Sequence, residues 1–168
     1  MTAGQIVLMT GLYLAAFVVV AYFTRAKPLR IAGATAGGAV LGLVALIAVA
    51  LGEAQDWWRV PKAGSSYFQF LFWLGFAVSC SPVYLITWRV ARRFGGRGLA
   101  LCVAVAAFIG PPRDYAFAAA FPNWISFSHG IAPILAVATV YALLVVVGHA
   151  VMRMVAGPAQ GDSLAPRL

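Results

Sequence analysis

The sequence predicts an all-α fold: a polytopic transmembrane helical bundle of five spans, N-terminus outside and C-terminus inside, with the fourth span broken near Gly110–Pro112. Three observations carry this. Hydrophobic residues make up 63% of the 168 positions and charged residues only 10%, against about 25% charged in a soluble domain. Apolar runs of about 20 residues recur, the length that crosses a hydrocarbon core roughly 30 Å thick. The cations gather in short connectors between those runs.

The first run, about Ile6 to Phe23, lacks the basic leader of a signal peptide and has its positive flank at its C-terminal end. It reads as a span. The connector RAKPLR follows, and then a second run from Ile31 to Gly52. That run holds two small-xxx-small pairs, Gly33 with Gly37 and Gly38 with Gly42. Lipid supplies no hydrophobic force between helices, so residues that allow close backbone approach mark packing faces. The spacing leaves open whether the partner is another span or a second copy of the chain.

Glu53, Asp56, Arg59 and Lys62 balance in the next connector, beside Trp57 and Trp58. The third run, Tyr67 to Trp88, carries Phe68, Phe72 and Phe76 at i, i+4 spacing, a stripe for a partner helix or for lipid tails. Pro82 follows Ser79, Cys80 and Ser81, which reads as a kink with serines nearby to repair the lost backbone bond. The connector RVARRFGGRG leads to a fourth run at Leu99, and the last extends from Ile131 to Met152.

Arg25, Lys27, Arg30, Arg89, Arg92, Arg93, Arg97, Arg153 and Arg167 then share one face, nine of the twelve cations. Because Lys and Arg in short loops stay cytoplasmic, that face is expected inside, in a bacterial cytoplasmic (inner) membrane. Residues 1–156 form the five-helix domain, and 157–168, polar and rich in Gly and Pro, a flexible cytoplasmic tail. The charge of +8 reads as an orientation signal. It forms no basic stripe, so no nucleic-acid partner is expected.

The fourth run is interrupted after twelve residues, about 18 Å of helix, by Gly110, Pro111, Pro112, Arg113 and Asp114. Gly110 suits a helix C-cap and the prolines a restart, hence the predicted break. Intramembrane ionisable residues are functional candidates by default. Arg113, Asp114, Tyr115, Asn123, Trp124 and His129 are therefore the candidate ligand-binding residues of an outward-facing pocket around residues 110–130.

Cys80 and Cys102 lie in apolar runs with no metal-ligand spacing, and no catalytic signature is present. His129 and His149 are twenty residues apart, about 30 Å along a helix, which rules out shared haem ligation. No metal or cofactor is expected. The expected role is a ligand-binding or accessory subunit of a membrane complex. Its partners would be membrane lipid, an apolar or amphipathic small molecule, and a second copy or another membrane protein. The alternatives are a membrane-embedded enzyme acting on a lipid-like substrate, and a transporter or channel working as an oligomer.

Overall fold

The computed structural model describes residues 3–61, 66–162 and 164, and it is helical almost throughout. In chain order it comprises α1 (Ala3–Thr24), α2 (Pro28–Ala54), β1 (Trp58–Arg59), α3 (Ser66–Ala120), β2 (Ser126–Phe127) and α4 (Ile131–Ala156). Three of these helices are long and apolar enough to cross a membrane: Pro28–Ala54, Phe68–Ala120 and Ile131–Ala156. The apolar stretch described in α1, Thr10–Thr24, is shorter.

Both short connections beside α2 close the same way. Arg25 and Asp56 take left-handed backbone conformations, φ 54° each. The following amides of Ala26 and Trp57 reach back to the carbonyls of Ala21 and Gly52, the paired bonding that ends a helix at a left-handed residue. Pro28 then opens α2, where its missing N–H costs nothing.

α3 is two limbs rather than one rod. Gly95, at φ 61°, is non-helical, and Gly98 lies against Val90 and Phe94 of the limb it has just left. Eight residues of unbroken helix advance about 12 Å, so the chain has folded back. The far ends agree: β1, which precedes the first limb, pairs antiparallel with β2, which follows the second, Trp58 opposite Phe127 and Arg59 opposite Ser126. The connector between the third and fourth apolar runs is therefore a tight helical hairpin.

The glycines of α2 set the spacing of the bundle, on two faces. A Cβ on Gly33 would stand 3.0 Å from the Met152 carbonyl oxygen, and one on Gly37 2.7 Å from that of Gly148, both on α4. Gly38 and Gly42 instead face the Ala77 and Trp73 backbone of α3. All four pack against other segments of this chain. Between them lies a core of Leu41, Tyr84, Leu85, Trp88, Leu144 and Met152. A second cluster of Trp58, Val60, Phe68 and Val137 closes the ribbon end of the molecule.

The Phe68, Phe72 and Phe76 rings stack successively, 5.5 and 4.8 Å apart. Phe68 is buried and the other two pack against the cores, so the stripe is interior packing. Pro82 lies within the helical part of the first limb, and beside it the Ser81 hydroxyl donates to Ala77 O at 2.6 Å, inside the bundle. Trp58 sits deep, its indole N–H on Val49 O at 3.2 Å. Large apolar side chains such as Leu12, Val18, Ile47, Leu101, Phe108 and Met154 point outward. An exposed apolar belt of that extent requires an apolar surrounding.

One sequence expectation is corrected. The break predicted near Gly110–Pro112 is absent: Gly110, Pro111 and Pro112 lie inside α3, whose one non-helical residue is Gly95. A helix tolerates proline when packing holds the turn that has lost its bonds, and here Gly110 and Pro111 are both buried. The segment that follows α4 makes several contacts with the helices. Asp162 pairs with Arg30 at 2.7 Å, the Asp162 carbonyl accepts from Arg92 Nε at 2.7 Å, and Ala159 and Leu164 pack on the core. Lys62, Arg167 and the end of the tail lie outside the described residues.

Candidate functional site

Each turn of the second limb of α3 brings a different chemistry around the helix. Gly110 and Asp114 are one turn apart and share a face. Tyr141 of α4 comes down onto that face, its ring filling the space a Cβ on Gly110 would need. The glycine is thus a seat for an aromatic ring, where the sequence suggested a helix end. From this seat the Tyr141 hydroxyl donates to Asp114 Oδ1 at 2.7 Å and accepts a hydrogen bond from Arg113 Nη1. Arg113 Nη1 and Asp114 Oδ1 are 3.4 Å apart. Sequence neighbours usually point different ways on a helix. Here the tyrosine joins them through one oxygen.

Tyr141→Phe removes that bridge and leaves the carboxylate short of a donor. The expected loss is about 1 kcal/mol of stability, read as a lower melting temperature of the detergent-solubilised protein. An unchanged melting curve would mean that water replaces the hydroxyl freely.

Tyr115, the next residue, faces the other way. Its ring stacks on Phe127 of β2, 4.5 Å between centroids and 14° from parallel. Its hydroxyl is buried without a hydrogen-bond partner among the described residues. Both groups belong to a cleft of about 450 Å³ between the end of α3 and the start of α4. Ala118, Ala119, Ile125 and Ile134 give it apolar walls, while Ser126, Ser128 and His129 stand at its polar edge. The ribbon fixes that edge: Ser128 donates to Trp57 O from both its amide, at 3.0 Å, and its hydroxyl, at 3.2 Å.

The six residues singled out from the sequence therefore separate. Tyr115 and His129 share the cleft. Arg113 and Asp114 share the Tyr141 contact instead. Trp124 packs toward Phe68, 6.4 Å away, and Asn123 is exposed.

A second polar assembly, at the basic end, was not recognised as a site in the sequence. Arg30 is only 3% exposed. Its Nε and Nη2 donate to Asp162 Oδ2, its Nη1 to Gly157 O at 2.9 Å, and its guanidinium lies over Trp88, 5.1 Å from the ring centroid. Thr87 Oγ1 donates to Tyr84 O at 3.0 Å and lies 3.1 Å from His149 Nδ1. The available signal was Asp162, the one acidic residue in the basic half of the connectors. Nothing local distinguishes Arg30 from Arg25.

Among the described residues no cluster of three His, Cys, Asp or Glu side chains is placed to hold a metal ion, and Cys80 and Cys102 are free thiols. No protein-family model matches the chain, and no curated protein or solved structure shows significant similarity to it.

Proposed function

We propose that this chain is a small integral protein of the bacterial inner membrane that crosses it five times, N-terminus outside and C-terminus inside. In this reading it binds an apolar or amphipathic molecule at its outward end, as a ligand-binding or accessory subunit of a membrane complex. Each limb of α3 supports the span count: 29 and 25 residues flank Gly95, about 43 and 37 Å of helix, enough for the core on either side of the hairpin. The gathering of nine of the twelve cations in alternate connectors along the sequence supports the orientation.

The observation that carries the binding role is the cleft beside Tyr115. Ligand pockets are mostly apolar with a few placed polar groups, and this one pairs alanine and isoleucine walls with Tyr115, Ser126, Ser128 and His129. A buried phenol hydroxyl without a partner costs free energy unless something bonds it, and a bound polar head does so. The two alternatives draw less support. An enzyme using Asp114 with His129 and Tyr115 needs them around one reacting atom, and Asp114 and Arg113 are not among the residues lining the cleft. A transporter site built on a broken helix lacks its break at Gly110.

A photoreactive fatty acid in membrane vesicles tests the cleft. Crosslinks are expected to concentrate on residues 115–134 and to fall several-fold in Tyr115→Ala. Labelling spread evenly over the lipid-facing side chains of α2, with no response to the substitution, would remove the proposal. Sidedness follows from the same vesicles: a cysteine replacing Arg93 should react with an impermeant maleimide only from the cytoplasmic side.

A further inference from the structure

At the basic end, where the α3 hairpin turns beside α4, a second cavity of about 170 Å³ opens under the strap formed by residues 158–160. We propose that it is a binding site for a phosphate group, carried either by an anionic phospholipid or by free inorganic phosphate.

The lining chemistry points there. Gly95 and Gly96 give one wall without side chains, while His149, Arg153 and Gln160 supply the polar groups. Thr87 Oγ1 donates to Tyr84 O and lies 3.1 Å from His149 Nδ1, which ties the ring to the wall of the cavity. Arg153 follows one turn later on α4, and no ion pair engages it among the described residues. Gln160 adds an amide from the strap, close to Gly95.

The surrounding charge has one sign. Arg30 and Arg153 both lie within electrostatic reach of His149. Among the described residues Asp162 is the one carboxylate side chain at this end, and Arg30 consumes it, at 2.7 Å. Asp162 is also absent from the cavity lining. Arg153, left without a counter-ion among the described residues, favours an anion beside it, and basic pockets between helices near the membrane surface suit lipid headgroups. The volume admits a group several water molecules in size at about 30 Å³ each, which fits a phosphate better than a sugar or a nucleotide. Exposed apolar side chains lie close in sequence to the lining residues, Phe94 on one side and Met154 on the other, where acyl chains attached to that phosphate would run.

The test uses the full-length protein in nanodiscs, with melting temperature as the readout. Phosphatidylglycerol in place of phosphatidylcholine should raise it, and Arg153→Gln should weaken the apparent affinity about tenfold, the worth of one charge-assisted hydrogen bond. Gln160→Ala, at an exposed position, should weaken it by a smaller factor. Arg93→Gln, equally basic but outside the cavity, should change it little. A rise with inorganic phosphate in phosphatidylcholine discs would identify the phosphate alone as sufficient, and a rise confined to phosphatidylglycerol would assign the site to the lipid. The proposal is overturned if neither phosphate source raises the melting temperature, or if Arg93→Gln weakens the response as much as Arg153→Gln does.

Discussion

Gly38→Leu is expected to abolish the folded, monodisperse protein in mild detergent. Even a Cβ at this position overlaps the Ala77 carbonyl oxygen and sits 3.0 Å from Ser81 Oγ. A leucine places three further carbons between two helix backbones. Overpacking a tight core costs roughly 1–3 kcal/mol when side chains can move aside. Here the obstacle is backbone, so the cost lies at or above the top of that range. Gly75→Leu is the control. Its Cβ meets nothing within 4 Å, and leucine has a helix propensity better by under about 1 kcal/mol. Size-exclusion profiles and melting curves of the pair decide the matter: equal behaviour would show that the α2–α3 contact does not hold the bundle together.

Asp162→Ala should produce the second large effect, at the opposite end of the same core. Removing the carboxylate leaves the Arg30 guanidinium buried, its remaining acceptors being the Gly157 and Pro158 carbonyls at 2.9 and 3.3 Å. Breaking a buried ion pair from one side typically costs about 3–5 kcal/mol, and these two carbonyls hold the expected loss near the lower figure. The strap should also loosen, since it loses its side-chain anchor and keeps only the Arg92 bond to the residue-162 main-chain carbonyl, which alanine retains, beside its apolar contacts. Limited proteolysis after residue 157 should therefore speed up many-fold relative to the unmodified chain. Replacing both partners, Arg30→Met with Asp162→Ala, should restore much of the melting temperature, because no uncompensated charge remains. A single Asp162→Ala variant with unchanged proteolysis and melting would mean that the strap is held by its apolar contacts alone.

Much of the architecture was legible in the residues, and for a simple reason. Apolar run length is a local quantity, and it places the long helices that include Ile31–Gly52, Tyr67–Trp88 and Ile131–Met152 with little help from the tertiary fold, whereas the Gly and Pro positions misplaced a break at Gly110–Pro112. The glycine pairs of α2 were legible as packing faces because close approach in lipid depends on small residues. Their partners were not. Spacing cannot distinguish α4 behind Gly33 and Gly37 from α3 behind Gly38 and Gly42.

The candidate site was legible only as a neighbourhood. Gly110 carried two meanings, a helix end or a seat for a ring, and the sequence offers no sign of Tyr141, which lies 31 residues onward and enters from another helix. Arg113 and Asp114 were identifiable as unusual charges in an apolar run, but their shared hydroxyl comes from α4. Tyr115 and His129 share a cleft because β1 and β2 pair across the ribbon end, a contact spanning nearly seventy residues of chain.

The residues alone determined that this polypeptide is helical, that its surface is apolar, and that most of its cations fall in the connectors between apolar runs, since each follows from composition and from periodicity within a single segment. Only the tertiary structure decided which helix faces meet, where Tyr141 lands, and that Asp162 brings the tail back onto Arg30. Those outcomes depend on contacts between positions far apart in the chain, where shape and charge are matched across a gap that no local pattern records.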